Sequence, residues 1–128
     1  MDDLLDAARD AMEHAYVPYS EYPVGAAIET ADGSVYTGAN LEIANFSNSL
    51  HAEEVALARA RMAGHETFAR IAVTSAERDG ITPCGTCRQT LAEFADAEVT
   101  VLIEDEAGTT EYTLGELLPH AFTGEFLE

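Results

Sequence analysis

The chain has no lysine, and cysteine is scarce: Cys84 and Cys87 are the only two in 128 residues. Its six basic residues are all arginine and face 24 aspartates and glutamates, for a formal net charge of −18. Affinity for long nucleic acids comes largely from neutralising phosphates with basic side chains, so this balance argues against a nucleic-acid partner. Anionic membranes are disfavoured for the same reason. Long apolar runs are missing too. No stretch approaches the roughly 18 apolar residues of a membrane span. The N-terminal "MDDLLDAARDAMEHAY" lacks the positive start and apolar core of a secretory signal. A cytoplasmic location is expected. A surface this acidic repels itself at low ionic strength and tolerates concentrated salt, where charges are screened, so the cytoplasm of a halophile is the expected source.

What is present suits one domain spanning 1–128. A chain of this length buries roughly two-thirds of its unfolded surface without disulfides, and 47% of its residues are hydrophobic. There is no internal repeat or low-complexity segment. Leu4, Leu5, Ala8, Met12 and Ala15 recur at helical spacing, which predicts a first helix ending near Tyr16, before Pro18. "PVGAAIETADGSVYTG" predicts a hairpin turning at Ala31, Asp32 and Gly33. "ANLEIANFSN" predicts a loop, followed by a second helix from about Ser49 to Met62. "RIAVTSA" and "EVTVLIED" read as buried strands, a third helix starts at Pro83, and "GELLPHAF" gives a short helical turn. The order α-β-β-α-β-α-β predicts an α/β fold, with helices on both faces of a mixed sheet.

Two helix starts carry the chemistry. The second opens with His51-Ala52-Glu53 and the third with Pro83-Cys84-Gly85-Thr86-Cys87. If both helices present their N-termini at one sheet edge, an imidazole and two thiolates meet. Helix N-termini favour thiolates by their partial positive charge. Three protein ligands leave the fourth tetrahedral position of a zinc ion for water, the mark of a catalytic site. Glu53 need not be a ligand and can move protons beside the metal. Taken alone, the cysteines also fit a redox pair, and a structural zinc could recruit His14, His65 or His120 as its fourth ligand. Glu54 reads as a charge compensating the helix dipole. Together, H-x-E and P-C-x-x-C form the known signature of zinc deaminases.

Beyond that signature, the stretches "AYVPYSEYPVGAAI", "TGANLE", "HAE", "PCGTCRQTLAEF" and "ELLPHAF" resemble the small homotetrameric cytidine deaminases over nearly the whole chain. The resemblance implies a three-layer α/β/α sandwich, one Zn²⁺ per subunit, and sites completed across subunit interfaces. It implies hydrolytic deamination of cytidine and deoxycytidine, in pyrimidine salvage. By position, His51, Cys84 and Cys87 would hold the metal, and Glu53 would take a proton from water, protonate cytosine N3 and assist ammonia's departure. Asn40 and Glu42 would bind the ribose, the Ala52 amide the pyrimidine carbonyl, Tyr22 would pack against the nucleoside, and Phe122 would reach a neighbouring subunit's site. A carboxylate beside the sugar would also repel a phosphate, favouring nucleosides over nucleotides.

The family usually has cysteine where His51 stands and arginine where Glu54 stands. The two replacements fit together, since a histidine ligand leaves less thiolate charge to temper. Ile43 and Phe46 stand where the family has asparagine and tyrosine, which removes a hydroxyl contact between subunits. The alternatives are a blasticidin-S-type aminonucleoside deaminase, against which the Asn40-x-Glu42 pair counts, a polynucleotide deaminase, or a non-catalytic zinc or redox module.

Overall fold

The computed structural model describes residues 3–77 and 80–127. Five strands, β1 (Val24–Thr30), β2 (Val35–Ala39), β3 (Phe68–Ser75), β4 (Thr100–Asp105) and β5 (Gly108–Thr113), form one sheet in the order β2-β1-β3-β4-β5. β1 is antiparallel to β2 and β3, β4 is parallel to β3, and β5 returns antiparallel along the edge. The parallel pair exists because a helix crosses over between its strands.

The pleat sorts the core onto two faces. Ala27, Ala72 and Leu102 meet Leu4, Leu5 and Ala8 of α1 (Asp3–Ala11). Ala26, Ile28, Ile71, Val73, Val101 and Ile103 face the other way and pack with α2 (Ala52–Met62), α3 (Gly85–Phe94) and Leu114 of α4 (Leu114–Leu117). The predicted three-layer α/β/α sandwich with a mixed sheet is therefore present. Two glycines set its thickness. A Cβ at Gly25 would lie 1.9 Å from the Ala8 carbonyl oxygen, and one at Gly38 would lie 2.4 Å from that of Ala52. No other residue lets α1 and the start of α2 sit so close to the strands. Among the described residues, no helix is long and apolar enough to cross a membrane.

Four boundaries differ from the sequence expectation. The α-helical part of α1 ends at Ala11 and tightens into a 3₁₀ turn over Met12–His14, because Tyr16 is pulled into extended pairing with Leu41. Leu50 also pairs with Leu41, which keeps the chain extended to His51 and delays α2 to Ala52 instead of Ser49. α3 starts at Gly85 with Cys84 as its N-cap, so Pro83 precedes the helix instead of opening it. β5 was not anticipated: "GTTEYT" has one large apolar residue, and an edge strand with one wet face needs little more. The C-terminal helical turn is confined to Leu114–Leu117, capped by Thr113.

Arg9 ties α1 to the sheet through a forked pair with Glu104, at 2.7 Å for its closest contact, and Thr74 donates to the same carboxylate at 2.5 Å. The Arg9 guanidinium first, with the Thr74 hydroxyl behind it, holds the Glu104 carboxyl below the ordinary carboxylate range. A lowered folded-state pKa stabilises the fold above the unfolded value, about 4.3, and that stability fades as pH falls through the folded value. Thermal unfolding should show Glu104→Gln less stable than wild type by about 1 kcal/mol at pH 7. The gap should close as the pH is lowered through and below the ordinary carboxylate range. A gap independent of pH would mean that packing, not charge, is lost.

Candidate active site

α2 and α3 place their N-termini side by side at the end of the sheet where β3 finishes, the expected location for a ligand site in an α/β fold. Each N-cap is a chemically active residue. His51 caps α2 in extended conformation, and Cys84 caps α3 in the same way, with Cys87 at the third helical position. Glu54, third in α2, accepts from the His51 backbone amide at 3.0 Å and so fixes the entry of the chain into the helix.

His51 Nδ1 lies 3.3 Å from Cys84 Sγ and 3.3 Å from Cys87 Sγ. All three donor atoms lie within 4.8 Å of one another, the one grouping of metal-ligating side chains of this kind among the described residues. A tetrahedral zinc, with bonds of about 2.3 Å to sulfur and 2.0 Å to nitrogen, separates N from S by roughly 3.5 Å. The donor set and its spacing therefore fit that ion. His14, His65 and His120 are not in the group, so the structural-zinc alternative loses its fourth ligand.

Glu53 is 5% exposed, and burial pushes its carboxyl above the ordinary range. A hydrogen bond from the Cys87 thiol and the nearby His51 oppose the shift without cancelling it. Burial likewise pushes the Cys87 thiol up, with the Glu53 carboxylate adding to the effect. Burial thus works against the thiolate that a helix N-terminus favours, and a bound cation would draw off the proton.

A cavity of about 550 Å³ opens over these groups. Tyr22, Asn40, Glu42, His51, Ala52, Glu53 and Cys84 all line it, while Cys87 is buried. Asn40 and Glu42 hold the loop before β1 as well as facing the cavity. Asn40 accepts from the Val24 amide at 2.9 Å and donates to the Tyr22 carbonyl at 2.9 Å. One oxygen of Glu42 accepts from the amides of Tyr19 and Ser20, each at 3.0 Å. Hydrogen bonds from Ser20 hold the Glu42 carboxyl below its ordinary range. The same side chains thus shape the loop and line the cavity.

Phe122 is not brought to the cavity. It is 57% exposed and stacks on Phe126, centroids 5.4 Å apart. The sequence reading missed Ser20, Ser49, Ile81 and Thr82, which line the cavity. The signal for the last two was adjacency to Pro83; the serines, with one hydroxyl each and no motif, gave none.

The family model described as the cytidine and deoxycytidylate deaminase zinc-binding region matches residues 1–103, which include all three metal-ligating candidates. A cytidine deaminase of Halalkalibacterium halodurans is 43% identical over 123 residues, 95% of this chain and 93% of its own. One from Sporosarcina psychrophila is 39% identical over 97% of this chain and 92% of its own. The crystal structure of cytidine deaminase from Burkholderia pseudomallei superposes with a TM-score of 0.88 at 40% identity, over 94% of this chain and 97% of that one. With that coverage and the His51, Cys84 and Cys87 grouping in place, the chain belongs to the cytidine and deoxycytidylate deaminase family of zinc-binding proteins.

Proposed function

We propose that the chain hydrolyses cytidine and deoxycytidine to uridine and deoxyuridine with release of ammonia, as one domain of 128 residues. The observation that carries this reading is the meeting of His51 Nδ1 with both cysteine sulfurs beside a buried Glu53, under a cavity edged by Asn40 and Glu42. Held by His51, Cys84 and Cys87, zinc supplies a Lewis acid that lowers the pKa of water toward neutrality.

The protein's own groups then account for the rest. The buried Glu53 carboxylate takes one proton from the attacking water and gives it to cytosine N3, then takes the second from the new C4 hydroxyl and gives it to the amine, whose C–N bond breaks as the C4 carbonyl forms. Ala52 occupies the first position of α2, where the backbone N–H has no partner within the helix, and it donates to the pyrimidine carbonyl. Glu42 has a second oxygen to accept from a sugar hydroxyl, and Asn40 has a second amide hydrogen to donate to one. Tyr22 packs against the nucleoside.

Phe122 contributes to the site of a neighbouring copy, within a homotetramer. Support comes from its place outside its own cavity and from Tyr16, Tyr19, Phe46 and Leu50, exposed apolar residues on the segments that carry the cavity. The acid surplus supports work at high salt, with nucleosides and not nucleic acids as partners; deamination of nucleosides would serve pyrimidine salvage in the cytoplasm.

The test is a spectrophotometric assay of cytidine, deoxycytidine and blasticidin S in molar KCl. Turnover of the first two, abolished by a zinc chelator, is the expected result. Folded, zinc-loaded protein that turns over neither would overturn the proposal, and turnover of blasticidin S alone would reassign the substrate.

A further inference from the structure

Arg88 is absent from the cavity lining yet makes contact with two segments near it. Its backbone amide donates to the Cys84 carbonyl at 2.9 Å, and its side-chain Nε donates to the Pro83 carbonyl at 2.7 Å. One terminal nitrogen donates to the Thr82 hydroxyl at 2.7 Å. The other donates to the Leu117 carbonyl, in the last turn of α4, at 2.9 Å. The Arg88 side chain therefore grips two consecutive residues, 82 and 83, which lead from the cavity wall to the metal-ligating candidate Cys84, whose carbonyl takes the ordinary helical bond from the Arg88 amide. The same fork satisfies a carbonyl that the end of α4 leaves without a helical partner.

The choice of acceptors is informative. In a chain with 24 acidic residues, all three side-chain acceptors of Arg88 are neutral. A guanidinium placed for ion pairing would be expected to face a carboxylate. This one is used for its shape, a planar fork that presents donors in fixed directions, which an ammonium cannot reproduce.

We propose that Arg88 is a positioning residue that locks the Thr82-Pro83-Cys84 approach to the metal site and couples it to the C-terminal α4. The proposal rests on the zinc reading of His51, Cys84 and Cys87. It states that the fork, and not the charge alone, holds Cys84 where a zinc ion needs it.

The experiment measures zinc release to a chelator from wild type, Arg88→Lys, Arg88→Gln and Thr82→Val, with far-UV circular dichroism as the control for folding. Partners that orient metal ligands typically contribute about 10 to 100-fold in metal affinity. Both Arg88 variants should therefore release zinc at least tenfold faster while keeping a native spectrum. Thr82→Val, which deletes one contact and no charge, should release it a few-fold faster and raise KM for cytidine more than it lowers kcat. Release at the wild-type rate in both Arg88 variants would overturn the proposal, as would full rescue by lysine, which would assign the effect to charge. Should the Arg88 variants fail to fold, Thr82→Val decides: unchanged release overturns the clamp, and faster release supports it. A wild-type chain that takes up no zinc would instead overturn the metal-site reading itself, and the proposal with it.

Discussion

Glu53→Gln should lower kcat for cytidine by about 10² to 10⁴-fold, the usual contribution of a positioned acid-base group, while leaving zinc content unchanged. The substitution keeps the shape of the side chain and removes its ability to carry a proton. It also removes a cost. Glu53 is 5% exposed, and burial raises its carboxyl above the ordinary range, which means the fold pays to keep the charged form dry. The neutral amide should therefore leave the thermal midpoint unchanged or raise it. Lost activity with retained zinc and undiminished stability marks a residue kept for chemistry. A falling midpoint together with zinc loss would reassign Glu53 to holding the Cys87 side of the site.

The sandwich and the metal residues could be read from the sequence because each left a local mark. Helical spacing marked α1, β-prone runs joined by Ala31, Asp32 and Gly33 marked the β1–β2 hairpin, and apolar runs marked β3 and β4. His51, Cys84 and Cys87 were recognisable because their chemistry requires those residue types near helix starts. β5 left a faint mark, since its threonines are as suited to a loop as to an edge strand. The end of α1 and the start of α2 moved for a reason that lies outside each helix. Leu41 pairs with both Tyr16 and Leu50, and a pairing between residues so distant in the chain has no trace in local periodicity. The loop-holding contacts of Glu42 were hidden in the same way, because its partners, the Tyr19 and Ser20 amides, carry no side-chain signature. What the sequence conceals here is mainly backbone: amides and carbonyls recruited by side chains elsewhere.

Removing the imidazole should empty the metal site. His51→Ala should lose zinc affinity by more than the 10 to 100-fold, roughly, that loss of an outer partner costs. Only two sulfurs would remain, and burial, which pushes the Cys87 thiol up, works against the thiolate at one of them. Alanine is also a poor residue at the N-cap of α2, so a second variant is needed to separate the two losses. His51→Asn supplies a side chain that caps helices well and binds zinc poorly. It should keep α2 intact and still fail to hold the metal. Stability reads this directly, because a ligand that binds only the folded state stabilises it by about 2.7 kcal/mol at a hundred times its dissociation constant. Added zinc should raise the thermal midpoint of wild type and leave His51→Asn unmoved, and a chelator should bring wild type down toward the variant. Were His51→Asn to respond to zinc as wild type does, the cysteines would be binding it without His51. The 3.3 Å approach of Nδ1 to both sulfurs would then be a hydrogen-bonded contact and not a ligand set. The two cases differ in kind, since a hydrogen-bonded contact contributes equally with and without metal, whereas a ligand contributes only when the ion is there.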